Sequence, residues 1–290
     1  MSPDKKHVSV FVRMDLHNHL VQPTVRTIKP DLMNPDEVID IASQRLSPDS
    51  EGKGVLGIAS FDGYPRYQDF ISISGKYNRV KFENGIFVPE KGLYVVNVQE
   101  VLGKEGHVLI CCLPEKLVIK DKTCLDEIIK IAEANQAFLV TDHPFFEGGL
   151  GPVLKRNQEK YLPYFAAGEI YNSRAAIFPF ANQRAEKFLR EMQINGYKIG
   201  VLSSSDAGSV KAIGRSSSLV YFADFGEIKS GEELSRSLEE GVRIGSFTSL
   251  GEDIRTPARL EALLHIAHMI RTEGPVSIAK RALGFASGKK

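Results

Sequence analysis

The chain has 290 residues, of which 42% are hydrophobic, so it can bury a large core in one barrel-type domain or in two smaller domains. Lys and Arg total 37 against 36 for Asp and Glu, a balance that excludes the global positive field of a dedicated nucleic-acid binder. The three cysteines do not indicate an extracellular disulfide framework. Because the sequence also shows no secretory signal and no apolar run of about 18 residues, we expect a cytoplasmic protein without a membrane span.

Short β-branched or aromatic runs alternate with helical patterns along the chain. The predicted strands cover 8–12, 54–60, 92–99, 106–113, 137–141, 166–171, 197–203 and 217–222. Strands that alternate with helices predict an α/β fold with a mainly parallel sheet, and this number of units favours a barrel.

Three segments carry the signals of helix ends. "NPDEVIDIASQRL" offers Asn34 as N-cap and Pro35 at the first helical position, and "TCLDEIIKIAEAN" offers Thr123 as N-cap. "FANQRAEKFLREMQING" closes on Asn195 and Gly196, which predict the end of that helix.

Acidic and imidazole side chains follow nearly every predicted strand. In chain order they are Asp15, His17, His19, Asp62, Glu100, His107, Asp142, His143, Glu169, Asn172 and Asp206. Since chemistry collects at the carboxyl ends of parallel strands, we expect these groups to meet in one cavity. Alternation along an extended segment predicts that His17 and His19 face that cavity while Asn18 faces away. Imidazoles and carboxylates without paired thiolates favour zinc, manganese or iron.

The same residues carry a resemblance to a known family. "DLHNH" (15–19), "SFDG" (60–63), "EVLGKEGHVL" (100–109), "TDHP" (141–144), "GEIYNSR" (168–174) and "SDAG" (205–208) resemble, in order, the motifs of the polymerase and histidinol phosphatase, or PHP, superfamily. The resemblance covers roughly residues 8–245 and includes the seven-residue gap from Glu100 to His107.

The resemblance implies a distorted (β/α)7 TIM-like barrel of the PHP type over 1–254, with metal ions at the carboxyl ends of its strands. It implies two divalent metal ions, which Glu100 would bridge. The implied ligands are His17, His19, Glu100 and Asp206 for one ion, and Glu100, His107 and His143 for the other.

Three ligands of the family's usual third ion are missing together. Their positions correspond to Thr24, Gly63 and Gly208, whereas all six ligand residues of the other two ions are present. A dinuclear centre that has lost its third metal explains this pattern better than a barrel that has decayed generally.

The resemblance makes phosphoesters the leading substrate class, and a small phosphorylated metabolite or nucleotide is expected. Asp206 and Asp62 are the candidate catalytic carboxylates, although a supporting or capping role is favoured for Asp62. Phosphoryl oxygens also need donors, for which Arg174 and Arg215 are the preferred candidates, together with Asn172.

Residues 255–290 depart from the barrel pattern and predict two basic helices that pack on the barrel or on a partner, so a homo-oligomer is possible. His265 and His268 lie one turn apart there, and their apolar neighbours favour ordinary helix packing over metal binding. Two other functions remain open for the chain: a non-catalytic PHP-like module that binds protein or nucleic acid, and hydrolysis of a carboxylic ester or amide.

Overall fold

The computed structural model describes residues 10–20, 34–48, 53–61, 65–223 and 225–247. The strands are β1 (Val10–Asp15), β2 (Gly54–Ser60), β3 (Val80–Lys81), β4 (Gly85–Val88), β5 (Leu93–Leu102), β6 (His107–Cys111), β7 (Phe138–Thr141), β8 (Phe165–Asn172), β9 (Gly200–Ser204), β10 (Ser218–Phe222) and β11 (Ser246–Phe247). The helices are α1 (Pro35–Leu46), α2 (Arg66–Ser72), α3 (Leu125–Ala134), α4 (Gly151–Arg156), α5 (Gln158–Tyr161), α6 (Pro179–Ile194) and α7 (Gly231–Gly245). All eight predicted strands are therefore present, whereas β3, β4 and β11 were not predicted.

The strands form one sheet that curls into a nearly closed barrel. Its order is β11-β10-β1-β2-β5-β6-β7-β8-β9, with β4 on β5 and β3 on β4. The pairs β1–β2, β2–β5, β7–β8 and β8–β9 are parallel, but β6 and β10 run antiparallel to both of their neighbours. The prediction of a barrel is confirmed in this coarse form. The distorted (β/α)7 pattern is matched only in part, because β5 and β6 form an antiparallel hairpin with no helix between them.

Serine side chains close the barrel between β9 and β10, where no backbone ladder joins the described strands. The Ser203 amide donates a hydrogen bond of 2.7 Å to the Ser218 hydroxyl, and the Ser205 hydroxyl donates to the Ser216 carbonyl at 3.0 Å. These hydroxyls take the place of backbone partners for the Ser203 amide and the Ser216 carbonyl, two buried backbone groups of the seam.

The hydrophobic core divides between the two faces of the sheet. Alternate residues of eight strands, such as Val12, Met14 and Val98, pack together and against Leu238 of α7. The opposite strand faces pack against α3 and α6 on one side of the barrel and against α1 and α2 on the other. The period of two along each strand thus separates the inner core from the helix-covered surface.

Two of the three predicted helix ends are confirmed and one is wrong. The Asn34 side chain accepts a hydrogen bond from the Asp36 amide, and α6 stops at Asn195, followed by Gly196 at φ 89°. Thr123 does not cap α3, which begins one residue later than that cap requires. The carboxylate of Glu105 accepts from the Leu125 amide instead, so a distant side chain satisfies the first turn.

The predicted extension over 255–290, including His265 and His268, lies outside the described residues, so its structure stays a prediction.

All three cysteines are free, and Cys111 and Cys112 are fully buried. None of the helices in the described ranges has the length and apolar character needed to cross a bilayer.

Candidate metal centre

The segment after β1 holds two imidazoles in fixed positions. The Asn18 side-chain amide donates to the carbonyl oxygens of Asp15 and Gly57, at 3.1 and 3.2 Å. It therefore points away from His17, His19 and the acidic and imidazole side chains around them, here called the cluster, as predicted. The backbone amide of His19 donates to the Ala207 carbonyl at 3.0 Å. Hydrogen bonds to β2 and to the segment after β9 therefore hold these residues in place. His17 and His19 face each other with their Nε2 atoms 3.0 Å apart.

A glycine allows this segment to lie directly against β2. A Cβ atom on Gly57 would stand 2.2 Å from the Leu16 carbonyl oxygen, which is far inside van der Waals contact. The absence of a side chain at Gly57 therefore permits the close backbone approach that places His17 in the barrel.

Glu100 lies between two groups of imidazoles, and its two oxygens face different groups. Its Oε2 atom lies 3.1 Å from Nε2 of His19 and 3.7 Å from Nε2 of His17. Its Oε1 atom lies 2.8 Å from Nδ1 of His107. His107 reaches this rim because β6 runs antiparallel and therefore begins where β5 ends, with Leu102 opposite His107.

The end of β7 contributes His143, which was predicted, and Asp142, which was not assigned a ligand role. Asp142 Oδ2 lies 3.2 Å from His143 Nε2 and 3.8 Å from His107 Nδ1, while its Oδ1 lies 3.3 Å from His17 Nδ1. Asp142 follows the predicted strand 137–141 directly, and this position was the available signal for its role.

Asp206 lies at the end of β9, on the His17 and His19 side of the cluster. Its Oδ1 atom is 3.4 Å from Nε2 of His19, 3.7 Å from Nε2 of His17 and 3.6 Å from Nη1 of Arg174. Asp206 has a φ of 46°, in the left-handed region that is uncommon for residues other than glycine. Strained backbone of this kind is typical of functional sites, where the surrounding structure enforces it.

Glu169 is a buried hydrogen-bond acceptor that orients neighbouring residues of the cluster. It accepts from Nδ1 of His17 at 3.0 Å, from the Ser204 hydroxyl at 2.5 Å, and from the His143 amide and the Asn172 side chain at 2.9 Å. Its bond to Nδ1 of His17 directs Nε2 of that ring into the cluster, which is the usual arrangement around a metal-binding histidine.

Asn172 is buried, and the other contacts of its side chain are internal. Its side-chain oxygen accepts from the amides of Arg174 and Ala175, both at 3.0 Å. Because both of its polar atoms are engaged, the geometry favours a role in positioning Arg174 over the substrate contact expected from the sequence.

The remaining predicted site residues lie at varied distances from the cluster. Arg174 is half-buried beside Asp206. Arg215 is also half-buried, but no hydrogen bond or ion pair joins its side chain to the cluster within the described ranges. Gly208 is buried two residues after Asp206. The predictions for Asp62, Thr24 and Gly63 fall on residues outside the described ranges.

Burial and crowding shift the pKa values of the cluster strongly. Burial alone would lower the pKa of His17, but the charges of Asp206 and Asp142 outweigh it and raise that pKa well above its usual value. Burial lowers the pKa of His143 to about 4, and the charge of His107 acts in the same direction. Burial also raises the pKa of Asp142 well above its usual range. These shifts follow from the burial of the site and from the close packing of carboxylates against imidazoles.

Several buried polar atoms of the cluster have no hydrogen-bond partner. They are both carboxylate oxygens of Asp142 and of Asp206, Nδ1 of His19 and Nδ1 of His143. Buried carboxylate oxygens without partners are costly, and a bound cation removes that cost. The atoms also converge: potential ligand atoms of Glu100, His107, Asp142 and His143 lie within 4.8 Å of one another, as do those of His17, His19 and Glu100. The residues therefore fit divalent metal ions that accept nitrogen and oxygen ligands.

Solved structures of known proteins share this fold at low sequence identity. PsfC from Pseudomonas syringae PB-5123 matches with a TM-score of 0.57 and 14% identity, over 89% of this chain and 99% of that chain. The endonuclease PfuEndoQ from Pyrococcus furiosus, described as lesion-specific, matches with a TM-score of 0.52 and 15% identity over 86% of this chain. Endonuclease Q bound to a 27-mer duplex with an abasic lesion at the active site matches with a TM-score of 0.51 and 15% identity over 80% of this chain.

The match to the two endonuclease structures covers only 60% and 57% of their chains. No protein-family model and no curated protein matches the sequence. At these identities the likeness concerns the fold alone, and it supports the barrel architecture. The fold and the cluster together define a barrel protein with a candidate metal centre.

Proposed function

We propose that the chain is a PHP-type phosphoesterase that uses a dinuclear metal centre. The arrangement of Glu100 carries this proposal, because one carboxylate oxygen faces His17 and His19 while the other faces His107. A carboxylate that presents one oxygen to each of two imidazole groups is suited to bridge two cations.

The proposed ligands divide into two sets around Glu100. His17, His19 and Asp206 complete one set, and His107 and His143 complete the other. Asp142, whose two buried oxygens face imidazoles but make no hydrogen bond, joins the second set. Two divalent ions in such a site supply a water molecule of lowered pKa and neutralise charge on the phosphoryl group. Zinc, manganese and iron suit these ligands.

The chain's own residues orient the phosphoester. Arg174 is half-exposed beside Asp206, where its guanidinium can donate two hydrogen bonds to phosphoryl oxygens. Asn172 fixes the backbone of Arg174 by accepting from its amide. Arg215 and Asp62 remain proposed as a second phosphate donor and as a general acid, and Gly208 leaves space where the family's third ion lies.

A small phosphorylated molecule is the proposed substrate, since the nearly balanced charge of 37 basic and 36 acidic residues does not favour a long polyanion. The structural neighbours named endonucleases make a phosphodiester in DNA the competing substrate. A PHP-like module without activity is the alternative function, and the partnerless carboxylate oxygens argue against it because they favour a site that still binds metal.

The decisive experiment compares Asp206→Asn with Asp40→Asn in metal-reconstituted protein. Asn tolerates the left-handed backbone of position 206, so the first variant removes charge and leaves the fold intact. Asp40 lies on α1 and gives a matched control. Its partly exposed carboxylate pairs with Lys76 and Lys91. Both proteins are assayed with Mn²⁺, Zn²⁺ or Fe²⁺ on an aryl phosphate, a nucleoside monophosphate and an abasic-site duplex.

We expect wild type and Asp40→Asn to hydrolyse a small phosphoester and Asp206→Asn to lose at least about 100-fold in kcat, because it removes a proposed metal ligand. If wild type cleaves only the abasic-site duplex, the proposed substrate is DNA and not a small phosphorylated molecule. If wild type binds no metal and hydrolyses none of the substrates, the phosphoesterase proposal is contradicted and the non-catalytic module becomes the favoured function.

A further inference from the structure

We propose that four phenylalanines beside the metal centre bind a flat ring carried by the substrate, a specificity that rests on the proposed function. Phe61, Phe146, Phe178 and Phe180 are here called the aromatic wall. The chemistry that this wall recognises is an aryl or heteroaryl group attached to a phosphoester.

One part of the wall runs from a buried imidazole out to solvent. The Phe146 ring packs edge-to-face on the ring of His143, with centroids 5.4 Å apart. Phe178 lies 5.8 Å from Phe146, and Phe180 lies 5.8 Å from Phe178. Phe180 is 51% exposed, so the row of rings begins at a proposed metal ligand and ends in water.

The other part of the wall is a single ring on the opposite imidazole group. Phe61 packs edge-to-face on His19 with centroids 5.3 Å apart, and it is 37% exposed. Each of the two proposed ligand sets therefore has a phenylalanine against one of its imidazoles. Large apolar side chains exposed next to a polar cluster are typical of a ligand site, in which few polar groups orient a molecule that apolar surface binds.

The wall is continuous in sequence with the proposed phosphate donor. Arg174 lies at the start of the short turn 175–177, which leads directly into Phe178 and α6. A phosphoryl group held by Arg174 would lie beside Asp206, and the segment that carries Phe178 follows Arg174 directly in the chain. Because phenylalanine has no hydrogen-bonding atoms, the wall selects the substituent by apolar contact and ring stacking.

A flat ring is the occupant that matches this surface. Stacking on aromatic side chains contributes to binding with little dependence on the identity of the ring, since every such ring has a π face. Simple aryl groups and heterocyclic bases share this chemistry. A ringless polyol has no surface that gains from the wall, and glycerol 1-phosphate therefore provides the reference substrate.

The test measures kcat/KM for phenyl phosphate, a nucleoside 5′-monophosphate and glycerol 1-phosphate in four proteins. They are wild type, Phe61→Ala, Phe180→Ala and the control Phe11→Ala. Phe11 is 56% exposed and lies near the start of β1, at the end of the barrel away from the metal centre. All three substitutions remove an exposed ring of the same type, so effects on solubility or stability are matched.

We expect wild type and Phe11→Ala to prefer a ring-bearing substrate by about 5-fold to 100-fold in kcat/KM, mainly through KM. Phe180→Ala or Phe61→Ala should reduce that preference towards unity, by raising KM for the ring-bearing substrates relative to KM for glycerol 1-phosphate. A larger preference for the nucleotide than for phenyl phosphate identifies a heterocyclic base as the ring, and equal preference identifies a simple aryl group.

Turnover of glycerol 1-phosphate without any preference for rings in wild type would overturn the inference while the proposed function stands. A preference that survives in both wall variants would overturn it too. If no phosphoester is hydrolysed, the proposed function fails. The inference is then tested by calorimetry, which measures the affinities of the metal-loaded proteins for the same three compounds. Tighter binding of the ring-bearing compounds in wild type and Phe11→Ala, but not in the wall variants, would support it, and equal binding would overturn it.

Discussion

Replacing Gly148 by alanine tests how the chain fixes His107 against Glu100. Gly148 has a φ of 70°, and a Cβ atom there would stand 2.3 Å from Nε2 of His107. Gly196 gives a matched control, because it has a φ of 89° and a Cβ atom there would meet nothing within 4 Å. Both substitutions impose left-handed backbone on alanine, which costs about 1–2 kcal/mol, but only the first adds a steric cost of about 1–3 kcal/mol.

The imidazole of His107 can relieve that contact only by moving, and Nδ1 on the same ring lies 2.8 Å from Oε1 of Glu100. We therefore expect Gly148→Ala to lose about 2–5 kcal/mol of unfolding free energy and Gly196→Ala about 1–2 kcal/mol in urea titrations. Metal affinity, measured by calorimetry, should fall about 10-fold to 100-fold in Gly148→Ala and stay unchanged in Gly196→Ala. Equal metal affinity in the two variants would refute the assigned position of His107.

Three further predictions concern the barrel seam, the thiols and the metal. Ser218→Ala should lower the unfolding free energy by about 1–3 kcal/mol, because it leaves the buried amide of Ser203 without a partner; an unchanged urea midpoint would show that the seam closes otherwise. A disulfide reagent should label at most Cys124 in native protein and all three thiols in denaturant, since Cys111 and Cys112 are fully buried and burial raises the pKa of Cys112 to about 12. Fast native labelling of more than one thiol would contradict that burial. A chelator should lower stability by about 2.7 kcal/mol relative to protein with metal at 100 times its dissociation constant, and an unchanged melting temperature would speak against a bound ion.

The strands were predictable because most are short runs rich in β-branched or aromatic residues. In β2 all residues from Gly54 to Ala59 are buried, and its predicted bounds match the observed ones. Strand direction was harder to predict, because the hydrophobic pattern of β6 does not depend on whether its neighbours are parallel. The four-residue connection from Leu102 to His107, too short for a crossover helix, was the local sign of a hairpin.

The proposed metal ligands were easier to predict than the groups that support them. His17, His19 and Glu100 occur in short motifs, and alternation along the chain sets the direction of their side chains. The role of Asp142 depends on three-dimensional packing, because its oxygens meet imidazoles from β1 and β6 only after the barrel closes. The aromatic wall escaped prediction for the same reason, since isolated phenylalanines in a sequence are usually core residues.

The metal content of Glu100→Gln tests the central claim most directly. If Glu100 is shared by two cations, reconstituted wild type should hold about two divalent ions per chain, and this one substitution should release both of them. Circular dichroism of the variant confirms that the barrel is still folded when the ions are counted. Retention of about two ions by Glu100→Gln, or no more than one in wild type, would contradict a dinuclear centre built on this carboxylate.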